Sequence, residues 1–133
     1  MRRYLIAYIA VLLVMLVLDG TWLTLMVRSF YRPRLGELLL EKPNLIPAVA
    51  FYLLYGAGVV ALAVGPALRG ETWTVAAVSG AILGFVAYAT YDLTNHATLR
   101  DWSSAVTVVD MAWGTFLTGT ASAAAYWAAQ RFG

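Results

Sequence analysis

Four side chains able to carry charge at neutral pH lie inside long apolar stretches of this sequence: Asp19, Asp92, His96 and Asp110. A carboxylate in hydrocarbon costs about 2.5–3.5 kcal/mol even on lenient insertion scales, so intramembrane acids are kept mostly where they serve a site. Tyr88, Asp92 and His96 follow i, i+4, i+8 spacing, which places them on one helical face with Asn95 beside it. On that face Asp92 is expected to accept from the Tyr88 hydroxyl and to hold His96 in one tautomer, making Asp92 and His96 the candidate acid–base pair. Asp19-Gly-Thr-Trp22-Leu-Thr24 and Asp110-Met-Ala-Trp113-Gly-Thr115 share the pattern Asp-x-x-Trp-x-Thr on spans of opposite direction. This is either the trace of an inverted repeat or chance similarity. Each indole N–H is a donor within reach of a carboxylate on a neighbouring helix.

The elements that must position these groups follow from composition. The chain has 133 residues, 62% hydrophobic and 12% charged, with mean hydropathy +0.74; soluble domains carry about 25% charged residues. A single all-α, polytopic membrane domain covering 1–133 is expected, with four transmembrane helices in an up-and-down bundle at about 4–27, 47–68, 72–98 and 104–130. Asn44 and Ser103-Ser104 are the expected caps, and Pro47 falls in a first helical turn, where a missing N–H does little harm. Gly65-Pro66 marks a fraying end or a kink. Met1-Arg2-Arg3 before an apolar run imitates a signal peptide, but the run is too long and Asp19-Gly20-Thr21-Trp22 is no small-residue cleavage site. Residues 28–46 read as a short amphipathic interfacial helix, with Leu35, Leu38 and Leu39 on its apolar face; a solvated loop is the alternative. Ala76, Gly80 and Gly84, and Gly114, Thr118 and Ser122, form small-residue stripes expected to pack helices closely.

Threading the spans places the acids at one depth. Asp19, Asp92 and Asp110 lie eight, seven and six residues from the ends of their spans on the side of the 28–46 connector, roughly 9–12 Å in at the helical rise. Tyr52 and Tyr55 reach similar depth from the second span, whereas the opposite halves of the spans carry no charge. An interior polar at one end and apolar at the other suits an amphipathic, lipid-like small molecule. Its expected ligand-binding residues are Asp19, Trp22, Tyr55, Tyr91, Asp92, Asn95, His96, Asp110 and Trp113, with Arg28, Arg32 and Arg34 available to an anionic head group.

Other chemistry finds less support. No basic run is interleaved with aromatics, so no nucleic-acid partner is expected; the basic residues flank apolar spans as membrane anchors do. The chain has no cysteine, which removes disulfides and thiolate ligands. Asp92 and His96 have metal-ligand spacing, and Asp19 and Asp110 would complete an oxygen-rich set, but the second His of the helical zinc motif is missing; no cofactor is expected, with a metal as the minor alternative. One His and no nucleophile elbow argue against nucleophilic catalysis. A membrane-embedded enzyme, a small proton-coupled transporter and a structural subunit docking a partner stand as alternatives to a ligand-binding protein. Basic residues divide four against five between the two sides, which gives no orientation and leaves a dual-topology homodimer open.

Tyr31, Phe51-Tyr52-Leu53-Leu54-Tyr55, the run Tyr91 to Leu99 (YDLTNHATL) and Val109-Asp110-Met111-Ala112-Trp113-Gly114-Thr115 resemble a bacterial family of predicted small membrane proteins, number 2177 in the series of domains of unknown function. The resemblance covers essentially the whole chain and implies four transmembrane helices and a multi-pass place in the cell inner membrane. It implies no activity.

Overall fold

A computed structural model describes all residues, Met1–Gly133. The chain is all-helical. Helix α1 (Arg2–Met26) continues through a π-helical turn (Val27–Tyr31), α2 (Arg32–Leu35) and a 3-10 turn (Gly36–Leu38). The second long helix is built from α3 (Leu45–Val59), a π-helical turn (Val60–Val64) and α4 (Gly65–Gly70), and is followed by α5 (Trp73–Thr98) and α6 (Ser104–Phe132). Three continuous helical stretches, Arg2–Leu38, Leu45–Gly70 and Trp73–Thr98, are long and apolar enough to cross a membrane. Only 28 of 133 residues are buried, and leucines, isoleucines and valines cover the outside of the first three long helices, the reverse of a water-soluble protein; α6 exposes Val108, Phe116, Trp127 and Phe132.

The caps form as their residue types require. The Asn44 side chain accepts from the Ile46 N–H, and Ser103 accepts from the Val106 N–H, each at 3.3 Å. Glu71 and Asp101 take left-handed backbone (φ 53° and 56°) in the two tight turns. Both π-helical turns end two residues before a proline, Pro33 and Pro66. A proline ring collides with the carbonyl four residues back, which lies at Ser29 and Leu62, inside each π turn. Widening the helix there relieves the clash without breaking it. This is why Gly65-Pro66 does not end the second helix. It also changes the connector: residues 28–38 prolong the first helix rather than forming a separate one, and only residues 39–44 are irregular.

Helix α6 packs along both α1 and α5, and the second long helix closes the ring against α5 and α6 through its π turn and α4 and against α1 through α3 and the π turn. At the connector end its first turns, residues 45–51, are exposed apart from Ala48. At the opposite end Arg3 donates to the Leu68 carbonyl (3.4 Å) and to Gln130 (2.7 Å), tying the first, second and fourth long helices together. The tightest interface joins α5 to α6. A Cβ on Gly80 would sit 2.3 Å from the Ser122 hydroxyl, one on Gly84 2.1 Å from the Gly114 carbonyl oxygen, and one on Gly114 2.3 Å from the Tyr88 ring. The two stripes therefore face each other in antiparallel register, Gly80 near Ser122, Gly84 near Thr118 and Tyr88 against Gly114.

Gly84→Ala should lower the thermal unfolding midpoint in detergent, with an overpacking cost of about 1–3 kcal/mol. Gly58→Ala, whose new Cβ meets nothing within 4 Å, should leave it unchanged; circular dichroism melts of the two variants compare them directly.

Candidate functional site

The buried stripe of α1 runs Ala7, Val11, Met15, Asp19, and that of α5 runs Ala76, Gly80, Gly84, Asp92. Each acid is thus the connector-end member of a packing face, carried into the bundle by the four-residue repeat that buries its apolar predecessors. Continuing the α5–α6 register one turn beyond Tyr88 and Gly114 places Asp92 opposite Asp110.

Asp19 accepts from two other helices: from the Trp113 indole at 3.0 Å and from the Tyr52 hydroxyl. Asp110 accepts from the Tyr31 hydroxyl, which in turn accepts from the Trp22 indole at 3.0 Å. The Trp22 and Trp113 rings stack at 4.2 Å and 8°, a contact worth about 0.5–1.5 kcal/mol beyond its area. The two Asp-x-x-Trp patterns are therefore joined across the antiparallel pair α1–α6. One tryptophan serves the other pattern's aspartate directly, and the second does so through a tyrosine. Tyr31 reaches this position because the π turn keeps the chain helical past Val27 and turns its ring inward, where it is buried.

Asp92 is 0% exposed, and neither of its carboxyl oxygens has a partner on any donor-bearing group. His96 stands apart from this acid. It is exposed, and its ring nitrogens lie 3.4 Å from the Ser104 hydroxyl and 3.5 Å from that of Thr107, at the start of α6. No hydrogen bond joins Asp92 to His96 or to Tyr88, so the expected acid–base pair is not assembled. Tyr88, Asp92 and His96 share a helical face, but the register turns Asp92 into the α5–α6 contact and leaves His96 one turn nearer the helix end. No group of three or more His, Asp or Glu is arranged to hold a metal ion.

A cavity of about 380 Å³ opens beneath the connector. Asp19, Trp22, Tyr91, Asp110 and Trp113, all expected from the sequence, line it. Tyr31, Tyr52 and Tyr88 line it too, beyond the residues expected from the sequence. Leu35, Leu39, Leu40 and Pro43 roof it. Two of the leucines assigned to a membrane-facing stripe, Leu35 and Leu39, thus turn to the cavity. Tyr55, Asn95 and His96 lie outside the lining, as does Asp92 behind Asp110; the Tyr55 hydroxyl pairs with Thr118 at 2.7 Å. Of the three arginines, only Arg32 lines the cavity. Arg34 stacks over Phe30 at 4.2 Å, and Arg28 is exposed. The signal for the tyrosines was present as hydroxyls at acid depth, but which tyrosine meets which acid depends on helix rotation.

Long lipid-facing helices around a buried polar cluster define the class: an all-helical membrane protein. The chain belongs to the family described as predicted membrane protein (DUF2177), a family of unknown function whose model matches residues 4–127. No curated protein and no solved structure matches it.

Trp113→Phe keeps an aromatic ring against Trp22 but removes a donor from buried Asp19, and should destabilise the protein by about 1–3 kcal/mol, read as a lower thermal midpoint. Asp92→Asn supplies an N–H donor to Asp110 and should hold or raise that midpoint. A marked fall would show that Asp92 is held by something other than the pair.

Proposed function

We propose that the chain is one four-helix transmembrane domain of a bacterial inner membrane whose cavity binds an amphipathic, lipid-like small molecule. Helix α6 crosses with the others in this reading. Its 29 residues span roughly 43 Å at the helical rise, and its lower hydropathy comes from the small residues that pack it against α5. Residues 32–43 then lie at the membrane surface as a roof over the cavity.

One observation carries the proposal: two carboxyls, Asp19 and Asp110, form part of the wall of a cavity that is otherwise mostly aromatic and aliphatic. Its size falls within the roughly 300–1,000 Å³ of small-molecule sites. The wall is richer in acceptors than in cations, with one arginine facing it. This favours a head group that donates hydrogen bonds, a hydroxyl or an ammonium, over the anionic head that three arginines would have held. Catalysis by Asp92 and His96 has no geometric support. The Asp92–Asp110 pair favours a second reading, proton-coupled transport; against it, the opposite half of the bundle is closed by Val11, Val64, Ala121 and Ala125.

Native mass spectrometry of the purified full chain, titrated with dioleoylglycerol and with dioleoylphosphatidate, tests this. The hydroxyl-headed lipid should bind at least tenfold tighter, and Asp110→Asn should weaken it about tenfold while the protein stays folded. Equal binding of both lipids, or an unchanged affinity in Asp110→Asn, would remove the carboxyls from the site.

A further inference from the structure

Two apolar grooves flank the loosely held first half of the second long helix, and each runs into the cavity at a different acid. The groove between α1 and α3, about 430 Å³, is lined by Leu12, Leu16, Gly20, Val49 and Leu53 and ends at Asp19. It shares Asp19, Leu23 and Tyr52 with the cavity. The opening between α3 and α5, about 300 Å³, is lined by Phe51, Ala87, Tyr88 and Tyr91 and ends at Asp110. It shares Tyr88, Tyr91 and Asp110 with the cavity. One polar chamber therefore has two apolar branches that open toward the acyl chains of the bilayer.

Resting on the lipid-binding reading above, we infer that the ligand is a two-chain lipid that straddles the second long helix. Its head lies between Asp19 and Asp110 under the connector, and one acyl chain occupies each groove. The geometry accounts for several features together. Tyr52 sits at the fork, its hydroxyl on Asp19, so the ring between the branches is held in place by the head-group wall. The first groove descends from Asp19 to Leu12, seven residues along α1, which is roughly 10 Å at the helical rise and directs a chain toward the membrane interior. The second helix is held to α1 by the Tyr8 hydroxyl donating to the Leu53 carbonyl at 3.0 Å and by Tyr52. It packs against α5 through its far half. A lipid enters sideways from the bilayer with its chains already in hydrocarbon, so only the head group needs to be desolvated.

The test compares dioleoylglycerol with monooleoylglycerol, which share a hydroxyl head, on the full chain by native mass spectrometry. Wild type should hold the two-chain lipid at least tenfold tighter. Gly20→Trp fills the first groove, where a Cβ at this position meets nothing within 4 Å, and Ala87→Trp fills the second. Each should bring the two-chain lipid down to the single-chain affinity and leave monooleoylglycerol within about twofold, because one groove stays open. The double variant should lose both. Ala57→Trp, on an exposed face outside both grooves, controls for an added indole, and thermal midpoints verify folding. Equal affinities in wild type, or two-chain binding that survives both single blocks, would overturn the straddling arrangement while leaving a lipid site in place. Failure of wild type to hold either glyceride would overturn the lipid-binding reading itself and this inference with it.

Discussion

A carboxylate removed from water needs donors, and both acids that face the cavity obtain theirs from other helices. Asp19 takes an indole N–H from α6 and a phenol from α3. Asp110 takes a phenol from the π-helical turn that follows α1. Because a buried acceptor left unpaired is costly, these bonds fix rotations and heights that apolar packing between lipid-exposed helices leaves loosely specified. The Trp22–Trp113 stack links the two sets, so the acids, tyrosines and tryptophans behave as one network across three of the four long helices.

Close packing of α5 on α6 completes the arrangement by a different means. Glycines let the backbones meet through most of the interface, and at its connector end the same register delivers Asp92 to Asp110. Asp92 is thereby the most enclosed acid in the protein, and no donor reaches either of its carboxyl oxygens. The bundle divides by chemistry: one end is held by side chains that interlock, the other by a polar and aromatic lattice that leaves space. Two prolines fit into this plan because π-helical turns precede them. One keeps the second helix continuous, and the other aims Tyr31 at Asp110.

The second long helix is the least constrained element. Its far half packs into the ring, whereas its first half touches α1 through a few polar bonds and leaves openings on both sides. The connector covers the space it leaves, with leucines and Arg32 turned toward the cavity and its other charged residues outward. Acids in the wall, leucines over the cavity and apolar openings on either side of the second long helix give the cavity a partly polar interior with apolar approaches.

Residue types and spacing alone determined the helical class, the membrane setting, the capping residues Asn44 and Ser103 and the placement of three acids toward the connector ends of their helices. These are one-dimensional properties: hydropathy, length and the four-residue repeat need no knowledge of neighbours. The small-residue stripes were legible for the same reason. Tertiary structure decided the pairings. Tyr88, Asp92 and His96 share a face, but only the register against α6 sends Asp92 to Asp110 and His96 to Ser104 and Thr107. Tyr31 was hidden because its place depends on a π-helical turn keeping the first helix going past Val27, and Leu35 and Leu39 were read as membrane-facing because their periodicity cannot say what covers them. A helical repeat defines a face; what that face meets depends on how separate helices are rotated against one another, and that is set by contacts between residues far apart in the chain.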